Sequence, residues 1–250
     1  MFKPTPNRLL PELTPREELV MLARTLWSEG YDDRLAGHIT YKQADGTFLC
    51  NPWHITWAEL RPDQVIRIDI EGRVVEGDWP VPPGIPIHLE LHKRRHDVTV
   101  AMHNHPRFGT IWADACRIPP VYDQSSLVGG GELTLVEVYE GGVSHRNIAA
   151  EVAELMGTAD LALLANHGVM VCGSSIRAVH QRAVALETRC RNAYQVEALG
   201  GGKQVDAAVR ERMVKFDGNE WIGFWEGMVR LELIRDPGLA DAIQSLRQAA

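Results

Sequence analysis

The chain has 250 residues, 45% of them hydrophobic and 24% charged, and carries a net charge of −7 at pH 7. Those fractions belong to a globular protein able to bury a sizeable core, and the acidic balance argues against a nucleic-acid partner, which would need a basic stripe. No run of 18 apolar residues occurs, so no membrane-spanning helix is expected; the four scattered cysteines, with no CxxC pair, fit reduced thiols in a cytoplasmic protein.

Residues 1–13 read as a proline-rich arm, with prolines and acids where a secretory signal would carry an apolar stretch. Thr14-Pro15-Arg16-Glu17 has the form of a helix start, with an N-cap, a proline at the first helical position and Glu at N3. Leu19, Leu22, Leu26 and Trp27 then recur at helical spacing up to Gly30. Asp45-Gly46 between two short apolar runs predicts a hairpin, and Glu71-Gly72 predicts a second. Pro80, Pro82, Pro83 and Pro86 punctuate a loop before a helix from Ile87, read from IHLELHKRRH. VTVAM (98–102) predicts a buried strand ending at His103, with a short helix after Pro106. GELTLVEVYEGG is a further strand candidate, and NIAAEVAELMG predicts a helix closed by Gly157.

LALLA (161–165) predicts a second buried strand, ending at Asn166-His167-Gly168. A long amphipathic helix should run from Ser175 to the glycines at 200–202. A C-terminal helix over roughly 205–232 would carry Trp221, Phe224, Trp225 and Met228. Helices alternating with hairpin-joined strands predict a mixed sheet flanked by helices. The expected organisation is a single domain over 1–250, with 1–13 as an arm and 205–250 as a helical extension.

The ten histidines carry the chemical question, since imidazole is the commonest metal ligand. His103 and His105, two apart in AMHNHP, should point to one face of a strand end, and Pro106 stops further pairing. His167 ends the other buried strand, and Gly168 permits a close approach there. If the two strands are neighbours ending at the same edge, three neutral imidazoles meet. Such a set leaves positions open on a divalent cation, as a catalytic site requires. Spacing alone leaves equally open that these are separate, hydrogen-bonded core histidines.

At these residues the chain resembles the class II aldolase/adducin family, over Pro15 to Leu199. The segments that carry the resemblance are LARTLWSEGYDDRLAGHITYK, IHLELHKRRHDVTVAMHNHP and ADLALLANHGVMVCG, in the family's order and spacing. The resemblance implies an α/β fold, three-layer α/β/α, with a central mixed, largely antiparallel sheet. It also implies a divalent metal ion held by His103, His105 and His167, zinc first and manganese or iron as the other choices. A homotetramer with sites at subunit interfaces is implied too, for which the aromatic stripe of the C-terminal helix would supply packing.

The chain departs from the family where sugar phosphates are handled. The position nineteen residues before His103, where the family's glutamate would stand, is Gly84 within Pro82-Pro83-Gly84, and the accompanying serine pair is missing too. The Gly-Asn turn becomes Gly37-His38, and the glycine-rich phosphate loop becomes Asn51-Pro52-Trp53-His54. The expected function is therefore a metal-dependent lyase acting by decarboxylation or retro-aldol cleavage on a non-phosphorylated hydroxy-acid, aromatic ones included. Loss of carbon dioxide needs no general base to start it, and a Lewis acid stabilises the anion it leaves.

His38 and Asp123 are the candidate acid/base groups. Asn51, Trp53, Arg107 and Gln124 are candidate substrate contacts, Arg107 as a bidentate partner for a carboxylate. Trp57 and Trp79 are further candidates for the pocket wall. His88 and His92, one helical turn apart, read as structural, and His54, His96, His145 and His180 as peripheral. Two other readings stand beside the lyase: a non-haem iron oxygenase of the same fold, and a non-catalytic, adducin-like interaction module. The expected partner is a small hydroxy-acid, with neither nucleic acid nor membrane.

Overall fold

The computed structural model describes residues 2–139, 146–215 and 221–243. Helix α1 (Pro15–Ser28) starts on the predicted capping box: the Thr14 hydroxyl accepts from the Glu17 amide, and the Glu17 carboxylate accepts from the Thr14 amide at 2.8 Å. Two hairpins follow as predicted, β1 (His38–Lys42) with β2 (Phe48–Cys50), and β3 (Ile66–Ile68) with β4 (Val74–Glu76). Next come α2 (Ile85–Arg94), β5 (Val100–Asn104), α3 (Arg107–Asp114), β6 (Leu133–Val136), α4 (Arg146–Met156), β7 (Leu161–Leu164), β8 (Gly168–Gly173) and α5 (Ile176–Ala198). Helices α6 (Ala207–Val214), α7 (Phe224–Arg235) and α8 (Pro237–Ala242) complete the described chain.

Among the described residues eight strands form one sheet, in the order β4-β3-β2-β1-β5-β8-β7-β6. Only β6 and β7 run parallel; the other pairs are antiparallel, giving the expected mixed sheet. Side chains alternate between faces along each strand. Val100 and Met102 of β5, with Val169 and Val171 of β8, join the core under α1, α5 and α7. Ala101, Met170 and Cys172 face the opposite way, toward α2 and α4. The sheet is thus covered on both sides, which is the α/β/α layering the resemblance implied.

Two expectations need correction. VTVAM and LALLA are not neighbours: β8, read from GVMVCG, lies between them and pairs with both. A six-residue strand that starts and ends on glycine carries little strand signal of its own. The predicted helix over 205–232 is also not one helix: its described parts are α6 and α7, followed by α8, which starts at Pro237. Its aromatic stripe splits. Trp225 packs into the intrachain core with Val229 and Leu233, whereas Phe224 is 55% exposed.

Ion pairs fasten α7 and α8 to the rest of the chain. Arg24 of α1 binds Glu232 at 2.7 Å, with both side chains buried, and Asp236 at 2.8 Å; Arg61 also reaches Asp236, and Arg177 holds Glu226. Removing one member of the buried Arg24–Glu232 pair would strand a charge, a change that costs about 3–5 kcal/mol.

His180 in α5 is buried, and neither ring nitrogen has a hydrogen-bond partner among the described residues. Burial pushes its pKa down to about 3, against about 6.5 in an unfolded chain. The unfolded state therefore binds a proton that the folded state refuses. This ring's contribution to stability is complete above about pH 6.5 and is lost as the pH falls toward 3, at up to about 1.4 kcal/mol per pH unit. His180→Leu is expected to move the acid-unfolding midpoint, followed by circular dichroism, to lower pH. An unmoved midpoint would show that the ring is not a buried neutral group.

Candidate metal centre

The centre is assembled where β1, β5 and β8 meet. Within the β1–β5 ladder His38 lies directly opposite His103, and their rings stack with centroids 4.7 Å apart and planes 27° from parallel. One residue on, Asn104 points to the other face; its amide donates to the Tyr31 carbonyl at 3.2 Å, and its Oδ1 accepts from the His105 amide at 2.6 Å. That bond fixes the chain as it leaves the strand, so His105 lies beside His103. Pro106 then opens α3, whose first amides, at Phe108 and Gly109, donate to the buried Glu187 carboxylate at 2.9 and 2.8 Å. Burial raises the Glu187 pKa to about 7 despite these two bonds.

His167 arrives by the tight turn between β7 and β8, with its amide bonded to the Leu164 carbonyl at 3.0 Å. The next residue has to be glycine. A Cβ on Gly168 would lie 2.4 Å from Cδ2 of His105 and 2.7 Å from the Asn104 carbonyl oxygen. The backbone of β8 can therefore run against His105 and bring His167 to it. Ring centroids of the three histidines stand 4.6–4.9 Å apart, and their ligand nitrogens all lie within 4.8 Å of one another.

The geometry fits a divalent cation. Nε2 of His103 and Nε2 of His105 are 3.1 Å apart. That is the separation of two nitrogens each about 2.0–2.1 Å from one ion, with an angle of roughly 95–100° between the bonds. Nδ1 of His105 contacts Asp33 Oδ2 at 2.7 Å. A carboxylate there holds the proton on Nδ1 and turns the Nε2 lone pair toward the centre, as partners of ligating histidines commonly do. Burial, then repulsion from neighbouring histidines, keeps His103 well below its ordinary pKa and His167 at about 4, so both are neutral and able to ligate. Asp33 escaped the sequence reading because one aspartate in the loop between α1 and β1 looks like any solvated acid. Tyr139, whose ring lies 6.3 Å from that of His167, escaped it likewise.

The other candidates are spread more widely. His38 borders the cluster; its Nδ1 contacts Nε2 of His88 at 2.7 Å. Its Nε2 lies where a side chain at 84 would begin: a Cβ on Gly84 would be 2.1 Å from it. Asn51 is buried and committed to backbone, accepting from the Ile39 amide at 2.7 Å and donating to the Gly37 carbonyl at 3.1 Å, so its amide pins the start of β1 rather than facing a ligand.

Trp57 is core, only 2% exposed, Trp53 is half-buried beside His54, and Trp79 is exposed on the proline loop. Arg107 is exposed at the start of α3, its guanidinium above the Phe108 ring. Asp123 lies just before the 3-10 turn Ser125–Leu127 and accepts from the Ser126 amide and hydroxyl and from Asn192 of α5. Partial burial works to raise its pKa, but those hydrogen bonds prevail and hold it below the ordinary range, which suits an ionised acceptor better than a proton donor. Gln124 is exposed in the same turn. Among the described residues, none of Asn51, Arg107, Asp123 or Gln124 forms a hydrogen bond, ion pair or ring contact with the three histidines. His145 lies outside them.

Residues 17–194 match the model of the Class II Aldolase and Adducin N-terminal domain. The chain is 28% identical over 203 residues to a 3,4-dihydroxyphthalate decarboxylase of Arthrobacter keyseri, covering 74% of this chain and 80% of the relative. It is 26% identical over 181 residues to a 3-oxo-tetronate 4-phosphate decarboxylase of Escherichia coli K12, covering 70% and 84%. Among solved structures, L-fuculose 1-phosphate aldolase from Glaciozyma antarctica superposes with a TM-score of 0.76 over 92% of this chain and 96% of that one, at 19% identity. That last likeness is one of fold.

Proposed function

The chain belongs to the class II aldolase and adducin family, and on that footing we propose that it is a metal-dependent lyase breaking a carbon–carbon bond in a non-phosphorylated hydroxy-acid. Decarboxylation is the first choice of reaction and retro-aldol cleavage the second. The observation that carries this reading is the convergence of His103, His105 and His167 on one point, with Asp33 behind His105 and no carboxylate at position 84. Both curated relatives described above are decarboxylases by name. The second acts by name on a phosphorylated acid. Here the residues standing at the family's phosphate-binding positions include Asn51, which is bound to backbone, and His38, which borders the histidines.

The three histidines would hold zinc, or else manganese or iron, and the ion would supply Lewis acidity toward the acid's oxygens. The chain's own residues do the rest. Asp33 orients His105. Gly84 leaves room for the His38 ring, and no anionic side chain stands there to repel the substrate's carboxylate. On an acid whose hydroxyl is conjugated to the carboxyl-bearing carbon, as in an ortho-hydroxy aromatic acid, His38 Nε2 carries the hydroxyl proton to that carbon, and the oxygen becomes a ketone. The ketone takes up the electron pair as the bond to the carboxyl carbon breaks and carbon dioxide departs, and water protonates the oxyanion that results. The homotetramer implied by the family resemblance, and a cytoplasmic setting, belong to this proposal too.

The test supplies ¹³C-carboxyl-labelled hydroxy-acids, aliphatic and aromatic, to zinc-, manganese- and iron-loaded protein, first without oxygen and then with it. Release of labelled carbon dioxide, or of an aldehyde, is the expected result. Turnover requiring iron and consuming oxygen would instead make the protein an oxygenase. A protein that binds no metal, and whose melting temperature ignores chelator, would make it an interaction module.

A further inference from the structure

At the β6–β7 edge of the sheet, a cavity of about 540 Å³ opens between α5, α6 and the 3-10 turn Ser125–Leu127. That volume is in the ordinary range of small-molecule sites. The cavity is separate from the histidine centre: Leu161, which opens β7, lines it, whereas His167 follows the other end of that strand. Its walls are mainly aliphatic, with Leu127, Leu133 and Leu186 beside Leu161. Gly130 and Gly131 add a stretch of wall without side chains. The Gly131 amide donates to the Val214 carbonyl at 2.9 Å and so ties the end of α6 across the cavity.

Two guanidinium groups reach into this apolar space, Arg189 from α5 and Arg210 from α6, both half-buried. Arg189 donates from Nε and Nη2 to one acceptor, the Pro119 carbonyl, at 2.9 and 2.6 Å. Those bonds aim the group without neutralising it, and Nη1 is left over. Arg210 has no hydrogen bond among the described residues, even at its buried Nε, so its terminal nitrogens are uncommitted too. Neither arginine forms an ion pair among the described residues. Glu132 and Glu211 also line the cavity, but both are exposed and stand in solvent rather than against the guanidinium groups. The two charges feel one another: burial pushes Arg189 down to about 10, and the Arg210 charge adds to that shift while Cys190 works against it. Two like charges beside apolar walls, with no counter-ion, are unfavourable until an anion joins them.

We propose that this cavity binds a small amphipathic carboxylic acid, its carboxylate held by Arg189 and Arg210 and its hydrocarbon body laid against the leucines. A carboxylate matches the planar donor fork of a guanidinium, and each of its oxygens can take one of the two groups. An inorganic anion would leave the leucines covered only by water, and an uncharged hydrocarbon would leave the arginines unpaired. The site goes beyond the lyase reading and does not rest on it, because its ligand is detected by binding rather than by turnover.

Octanoate and 4-phenylbutyrate are titrated calorimetrically into full-length protein, metal-free and zinc-loaded. One acid per chain is expected to bind, with the same affinity in both forms, because the histidines lie at the far end of β7. Octanol and octanamide have the same body without the charge and should bind at least about tenfold more weakly, the worth of one hydrogen bond to a charged group. Arg210→Gln should weaken both acids by a similar factor. Ala207→Trp adds bulk to the cavity from an exposed position on α6, so it should abolish binding and leave the melting temperature close to that of the wild type. Binding that requires zinc would place the acid at the histidine centre instead. Equal binding of octanol would make the cavity merely apolar, and unchanged affinity in both variants would put the site elsewhere. Any of these results, or no binding of either acid, would overturn the proposal.

Discussion

His103→Ala is expected to empty the metal centre, and of all single changes it should have the largest effect on activity. His103 comes from the centre of the sheet, between β1 and β8, so no mobile side chain can replace it. Its loss leaves His105 and His167 as two ligands, one from the end of a strand and one from a turn. Elemental analysis should find wild-type protein binding close to one divalent ion per chain and the variant almost none, with turnover falling in proportion. Asp33→Asn supplies the scale. It removes only the carboxylate behind His105, a kind of change that costs about 10–100-fold in affinity or activity, and the loss of a ligand should exceed it. Full metal occupancy in His103→Ala would remove that residue from the site.

The second large effect is expected from Gly84→Ala. The new methyl would lie 2.1 Å from Nε2 of His38 and 2.6 Å from its Cε1. His38 cannot swing aside cheaply, because its other nitrogen is bonded to His88 and its ring is stacked on His103. Crowding of this kind costs about 1–3 kcal/mol, and stranding the buried nitrogen of His88 roughly another 1–3 kcal/mol. At this chain length each kcal/mol lowers the melting temperature by about 2–4 °C. His38→Asn, which shortens the side chain, should relieve most of the clash. The double variant should therefore be clearly more stable than the sum of the two single changes allows, when all four proteins are unfolded in denaturant. Simple additivity would mean that the two positions do not share the space.

Much of this was legible in the order of residues. The capping box at Thr14, the hairpin turn at Asp45-Gly46 and the histidines at strand ends all depend on local geometry, which a sequence carries openly. What was hidden depends on contacts between distant segments. Strand β8 is ordinary in isolation and becomes central only because β5 and β7 both need a partner. Asp33 acquires meaning only beside His105, and Asn51 loses its ligand-binding reading only once its amide is seen to be bound to Gly37 and Ile39. Gly84 and His38 were each read as separate departures from the family pattern. Their mutual exclusion is a fact of space, 46 positions apart in the chain.

The ladder that sets His38 opposite His103, with β5 clamped between β1 and β8, also bears on which ions the protein can tell apart. A cage built on loops reshapes itself around whatever enters, and then ligand softness and cellular supply decide the occupant. Here His103 sits in a strand paired on both sides, and His105 is held just beyond it by Asn104 and Asp33. A cation whose radius displaced His103 would have to bend the middle of the molecule rather than a flexible rim. Discrimination by stiffness of this sort would favour slow exchange and a narrow range of ionic sizes.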